Sequence, residues 1–217
     1  MILPFGITDT SMTMEENMLP VMEEFYSLQG EGYHTGEAAY FIRVGGCDVG
    51  CYFCDVKEAW NAAIHNPTNV YDIVERAKQV PAKAVILTGG EPMLYNMDKL
   101  CTLLKQNNIR TFLETSGTSP LSGTWDWICL SPKENLPTLP EFYRKAGELK
   151  MIVCHENDFE RAEYHANKIA EVNPNCRLYL QPEWSERKKL TPLIVEYIKQ
   201  NPKWKISQQT HKYIDIR

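Results

Sequence analysis

Three cysteines crowd one short stretch, Arg43-Val44-Gly45-Gly46-Cys47-Asp48-Val49-Gly50-Cys51-Tyr52-Phe53-Cys54-Asp55, at C-x3-C-x2-C spacing. The glycines at 45, 46 and 50 let the backbone curl and bring the sulfurs to one point. Thiolates are soft ligands that suit zinc or an iron–sulfur cluster. Three are one short of a closed zinc tetrahedron, and one short of a cubane held by cysteine alone. A 4Fe–4S cube on three thiolates keeps one iron open to a further ligand. Zinc completed by a distant fourth ligand is the competing reading.

Other polar clusters stand at the ends of apolar runs: Gly89-Gly90-Glu91-Pro92, Thr115-Ser116-Gly117-Thr118, Ser131-Pro132-Lys133 and Gln181-Pro182. Paired glycines either make a plain turn or let backbone groups lie directly against a ligand. Ser116, Ser131 and Lys133 by themselves read as caps and surface charge. Gln29-Gly30-Glu31-Gly32 precedes the cysteine stretch, and Gln209-Thr210-His211-Lys212 lies in the C-terminal tail. Glu31 can accept from N–H groups, and Arg43 offers a planar fork to a carboxylate. The bland alternative is an Arg43–Glu31 ion pair that tethers two strands. Cys101, Cys129, Cys154 and Cys176 are scattered singly and read as small buried hydrophobes. Trp60, Trp125 and Trp127 read as packing.

The elements that must position these groups alternate. Strands are predicted over Val21–Tyr26, Ala38–Val44, Ala84–Thr88, Arg110–Glu114, Trp125–Leu130, Glu148–Val153, Arg177–Gln181 and Trp204–Ile206. In the second of these, Ala39, Phe41 and Arg43 share one face. Helices are predicted from a Thr68 or Asn69 cap to about Gln79, after an Asn96 cap, over Glu141–Lys145, from Asn157 or Asp158 to Val172, and over Thr191–Gln200. Such alternation predicts an α/β protein with a mainly parallel sheet and helices outside. About six units are too few for a closed eight-unit barrel, so an open, partial barrel is expected. A doubly wound sheet is the alternative. In a parallel barrel, ligand-binding groups gather at the carboxyl ends of the strands, where every polar cluster above falls.

Length and composition suit one domain, expected over 18–217. Residues 1–17 lack periodicity and are expected to form a loose tail. The formal net charge of −5 argues against nucleic acid as a main partner. No apolar run approaches the ~18 residues of a membrane span. Residues 1–17 contain no Lys or Arg, unlike a signal peptide. Seven cysteines without such a signal lead to the expectation of a reducing cytoplasm.

With Phe53 just before the last cysteine, the C-x3-C-x2-C loop resembles the cluster loop of radical S-adenosylmethionine (SAM) enzymes. The resemblance implies a partial (β/α)6 barrel, a 4Fe–4S cluster on Cys47, Cys51 and Cys54, and SAM chelated to the open iron. It implies Phe53 near the adenine, Gly89, Gly90 and Glu91 at the methionine amino group, and Ser116, Ser131, Lys133 and Gln181 around the rest of SAM.

The Q-G-E-G segment, Arg43 four residues before Cys47, Gln181-Pro182 and the Q-x-H-K tail together resemble the 7-carboxy-7-deazaguanine synthase family over about residues 18–217. That implies conversion of 6-carboxy-5,6,7,8-tetrahydropterin to 7-carboxy-7-deazaguanine with loss of ammonia, in queuosine biosynthesis. It implies a substrate site of Leu28, Gln29, Glu31, Arg43 and His211, a flavodoxin or ferredoxin reductant, and a homodimer. Many members carry Thr or Ser after the C-x-x-C-Asp to ligate Mg2+. Val56 stands there and offers no oxygen, which leaves Asp55 for a weakened ion site. The competing functions are a glycyl-radical activating enzyme and a non-enzymatic zinc or iron–sulfur module.

Overall fold

The central strands of this chain are apolar runs buried on both faces, as in Ala84–Gly89. The computed structural model describes residues 17–217. The expected tail lies outside the described residues except for Asn17, whose carbonyl accepts the Val70 N–H at 2.9 Å. Among the described residues nine strands form one sheet: β1 (Met18–Leu28), β2 (Ala38–Val44), β3 (Pro67–Asn69), β4 (Ala84–Gly89), β5 (Arg110–Thr115), β6 (Trp127–Leu130), β7 (Glu148–Val153), β8 (Arg177–Pro182) and β9 (Trp204–Ile206). Their spatial order is β3-β1-β2-β4-β5-β6-β7-β8-β9. From β2 through β9 every pairing is parallel, whereas β1 runs antiparallel to β2 and β3. The end strands β3 and β9 do not pair, so the barrel stays open.

Parallel neighbours need crossovers. α1 (Val70–Lys78), α2 (Asp98–Gln106), α3 (Pro140–Lys145), α4 (Asp158–Val172) and α5 (Arg187–Gln200) supply them; β5 and β6 are joined by a loop at 116–126, and α6 (Thr210–Tyr213) follows β9. Asn69 caps α1 by accepting the Tyr71 N–H at 3.0 Å. The N-cap of α2 is Met97 rather than the expected Asn96, which stands one residue earlier and accepts the Asp98 N–H at 2.8 Å.

Outward side chains form the main core. Ile42, Val44, Leu87, Leu113 and Leu149 pack against Ile73 of α1, Leu100 and Leu104 of α2, Ala162, Ala166 and Ile169 of α4, and Ile194 of α5. Each Ile, Leu or Val side chain removed from water contributes about 1.5–3 kcal/mol. The inward face divides by height. Ala39, Phe41, Ala84, Ile86 and Phe112 make a smaller apolar cluster with Phe25 and Trp127. Above it, toward the carboxyl ends, inward positions turn polar: Arg43, Thr88, Glu114 and Lys150.

Several boundaries differ from the sequence expectation. β1 is eleven residues long and extends past both predicted ends. β6 begins at Trp127, because Trp125 belongs to the preceding loop, where its Nε1 donates to the Ser122 carbonyl at 2.8 Å. α5 begins at Arg187 rather than Thr191, with Pro192 inside the helix instead of at its start. Of the four single cysteines, Cys101 and Cys129 are buried, but Cys154 and Cys176 are only part-buried. No described helix is long and apolar enough to cross a membrane.

Candidate active site

The cluster loop leaves β2 at its carboxyl end and is pinned by backbone bonds. Gly46 N–H donates to the Ala59 carbonyl at 2.7 Å, and Cys47 N–H to the Trp60 carbonyl at 3.2 Å. Gly90 N–H donates to the Val44 carbonyl at 2.9 Å, and Glu91 N–H to the Gly46 carbonyl at 2.8 Å. This close approach explains the paired glycines. A Cβ on Gly90 would lie 2.0 Å from the Gly46 oxygen, and Gly89 (φ +129) would place one 2.2 Å from the Val44 oxygen. From the far side, Asn135 Nδ2 donates to the Val49 carbonyl at 2.8 Å.

Cys47, Cys51 and Cys54 are free, part-buried and line one cavity of about 290 Å³ at the carboxyl ends of the strands. Burial raises the Cys51 thiol's pKa, as do Cys47 and Cys54 beside it, while Lys133 opposes the rise. Three thiols close enough to feel one another and facing a cation fit a three-thiolate cluster with an open iron. By themselves the three thiols are one ligand short of a closed zinc tetrahedron.

The expected SAM residues divide into wall and scaffold. Phe53, Gly89, Gly90, Ser116, Ser131, Lys133 and Gln181 all line the cavity. Glu91 does not: it is 1% exposed, behind the wall. Its carboxylate accepts from Met93 N–H at 3.0 Å, Thr115 Oγ1 at 2.6 Å, Ser116 N–H at 2.8 Å and the Ser116 hydroxyl. Glu91 therefore ties the exit of β4 to that of β5. Lys133 is no surface charge; its Nζ donates to the Ser131 carbonyl at 2.7 Å, and burial lowers its pKa. Gln181 Oε1 accepts from Ser207 Oγ at 2.7 Å, which anchors the segment after β9.

The expected substrate residues also face this cavity: Leu28, Gln29, Glu31, Arg43 and His211. The loop between β1 and β2 folds back onto itself, with Gly36 N–H donating to the Gln29 carbonyl at 2.7 Å. The Q-G-E-G glycines let this loop pass two side chains. A Cβ on Gly30 would lie 2.1 Å from His211 Nδ1, and one on Gly32 would lie 2.3 Å from Glu148 Oε1. The supposed Arg43–Glu31 tether is absent. Arg43 Nε bonds Glu23 Oε1 at 2.8 Å, on the neighbouring position of β1, while Glu31 bonds Lys150 and accepts from Gln209 Nε2 at 2.9 Å. Burial would raise the Glu31 pKa, but Lys150 and Gln209 outweigh it and bring it to about 2.

Sequence reasoning missed Lys150, Glu114 and Thr88 and gave Gln209 of the tail motif no role, though all four stand on the cavity wall. A signal was present. Lys150 and Glu114 are charged residues inside otherwise apolar strands, at the inward phase of the alternation.

A magnesium site is not supported by the donor set. Val56 lines the cavity with methyl groups only. Asp55 Oδ2 is already engaged by Lys212 Nζ at 2.6 Å and Gln209 Nε2 at 3.1 Å. One carboxylate shared with an ammonium is a poor start for octahedral oxygen ligation.

The same arrangement of elements is found in known proteins. Residues 41–152 match the radical SAM superfamily. The chain is 55% identical to a 7-carboxy-7-deazaguanine synthase of Flavobacterium psychrophilum, covering 92% of this chain and 93% of the relative. It is 44% identical to the synthase of a Synechocystis species, covering 91% and 93% of the two chains. The crystal structure of QueE from Escherichia coli superposes with a TM-score of 0.78 at 30% identity, covering 89% of this chain and 95% of that one. A thiol loop at the carboxyl end of β2, a mainly parallel open barrel and relatives matched nearly end to end place the chain in the radical SAM superfamily, as a member of the 7-carboxy-7-deazaguanine synthase family.

Proposed function

We propose that this chain converts 6-carboxy-5,6,7,8-tetrahydropterin to 7-carboxy-7-deazaguanine with loss of ammonia, as a carbon–nitrogen lyase of queuosine biosynthesis in the cytoplasm. The observation that carries this reading is one cavity lined by three free thiols together with Arg43, Glu31, Glu114 and Lys150. A small carboxylated, N–H-rich ring needs such a cation and such acceptors.

Cys47, Cys51 and Cys54 would hold the cluster, which with SAM supplies a 5′-deoxyadenosyl radical able to take hydrogen from C6 of the substrate. The protein's own part is placement and exclusion. Lys133 gives the methionine carboxylate a buried cation. Gly89 and Gly90 offer bare backbone to the methionine amino group, with Glu91 holding that turn from behind. Ser116, Ser131 and Gln181 bind the remaining polar atoms of SAM, and Phe53 packs against the adenine. Arg43, its Nε held by Glu23, presents its fork to the substrate carboxylate. Glu31 and Glu114 accept from the pyrimidine edge, and Gln29, His211 and Leu28 complete the enclosure. No step is routed through Mg2+. The reading includes residues 18–217 as one domain, flavodoxin or ferredoxin as reductant, and a homodimer.

The test is anaerobic incubation of reconstituted protein with SAM, reductant and the carboxypterin, read by mass spectrometry. Formation of 7-carboxy-7-deazaguanine is expected. SAM cleavage with the pterin left intact would sink the substrate assignment and leave the superfamily standing.

A further inference from the structure

The floor of the cavity holds one buried cation ringed by acidic groups from four elements. Lys150 projects inward from β7 and is 5% exposed. Its Nζ bonds Glu31 of the β1–β2 loop, and Glu114 of β5 at 2.8 Å. Glu148, two residues earlier on β7, and Cys129 of β6 close the ring, with their ligand atoms and those of Glu114 within 4.8 Å of one another. Glu148 accepts the Tyr33 N–H at 2.7 Å, which leaves Lys150 to the other two carboxylates. Amides hold the outer oxygens: Gln29 Nε2 donates to Glu114 Oε1 at 3.1 Å, and Gln209 Nε2 to Glu31 Oε1 at 2.9 Å. The further charged or titratable groups facing this set are His211 of α6, Asp55 of the cluster loop and Lys133 after β6.

Two part-buried carboxylates converging on one cavity repel, and without a cation one takes a proton more readily. A protonated carboxyl offers a donor where a pterin edge, itself rich in N–H groups, needs an acceptor. One ammonium bonded to both settles charge and geometry together. Its third hydrogen adds nothing the substrate carboxylate needs, because Arg43 occupies the β2 wall.

We propose that Lys150 is a positioning residue that holds Glu31 and Glu114 side by side, both ionised, as a two-carboxylate acceptor for the N–H edge of the substrate. This rests on the functional reading above and deepens it.

The experiment compares wild-type, Lys150→Met and Lys150→Arg holoenzymes over pH 5.5–8.5, with cluster absorbance checked for each. In Lys150→Met the KM for the carboxypterin is expected to rise about 10- to 100-fold, as for loss of a charge-assisted hydrogen-bond pair. The acid limb of kcat/KM should move to higher pH, because a carboxylate deprived of its cation binds a proton more readily. Lys150→Arg keeps the charge and should keep the acid limb near its wild-type position. If Lys150→Met fails to load a cluster, Glu114→Gln is read instead, and its KM should rise by a similar factor. Variants with wild-type KM and an unmoved acid limb, against an active wild type, overturn the inference alone. A wild type that leaves the pterin unconverted overturns the functional reading and this inference with it.

Discussion

Lys212 Nζ sits 2.6 Å from Asp55 Oδ2, so the C-terminal helix places an ammonium on the carboxylate that follows the last cluster cysteine. Next to that carboxylate stands Val56, with no oxygen to give. Turnover of the natural protein is therefore expected to respond little to chelator or to added Mg2+. Val56→Thr should gain a Mg2+ response. Strong stimulation of the natural protein by Mg2+ would show that the ion displaces Lys212 from Asp55.

Cys47→Ala, Cys51→Ala and Cys54→Ala should each abolish cluster absorbance and SAM cleavage. Cys101→Ala is the control, buried on α2 against the Gly123 turn and not among the residues of the cavity wall. Cys154 is a poorer control because its thiol meets the Tyr52 hydroxyl of the cluster loop. Retained SAM cleavage in Cys51→Ala would break the superfamily assignment at its chemistry.

Gly90→Ala forces a methyl into the Gly46 carbonyl, 2.0 Å away, and backbone cannot swing aside as a side chain can. The overpacking should cost at least ~2 kcal/mol, or roughly 4–8 °C in Tm for a chain of this size. Calorimetry of the cluster-loaded protein measures it. An unchanged Tm would mean that the β4 exit and the cluster loop separate freely.

Arg43→Lys keeps the charge but loses the planar fork and the Nε bond to Glu23. Binding of the carboxypterin should weaken by about 1–3 kcal/mol. Glu23→Gln should weaken it less, because the guanidinium stays and only its anchor is softened. Isothermal titration under anaerobic conditions separates the two, and equal wild-type affinity in both would remove Arg43 from the substrate site.

His165 of α4 is buried, with Nδ1 2.9 Å from the Tyr143 hydroxyl, and burial brings its pKa down from 6.5 to about 4. The unfolded chain thus binds this proton before the folded one. Its contribution is fully present above pH 6.5 and is lost as pH falls toward 4, at no more than about 1.4 kcal/mol per pH unit. Denaturant titrations at pH 7 and pH 5 should show a steeper acid loss in the natural protein than in His165→Gln. Parallel losses would assign the acid sensitivity to other groups.

The sequence by itself determined the chemistry and the architecture that carries it. Three thiols at fixed spacing are bound to their chain neighbours, so their convergence needs only a loop that glycines permit. Strand–helix alternation is likewise local, which is why β2, β7 and β9 fell on the residues predicted for them and Asn69 capped α1 as expected. Side-chain phase along a strand is also local, and it placed Arg43 with Phe41 and Ala39.

Partners were another matter. Whether Arg43 meets Glu31 or Glu23 depends on the register of β1 against β2 and on where the following loop turns. That register puts Glu23 opposite Arg43, and the loop carries Glu31 across to Lys150, 119 residues away in the chain. Glu91 bears a family motif yet faces Thr115 and Ser116 rather than the cavity, because β4 and β5 are neighbours in space. Only the tertiary structure decided these pairings. They join groups far apart in sequence through strand order and register, and such contacts leave no periodic trace in either segment alone.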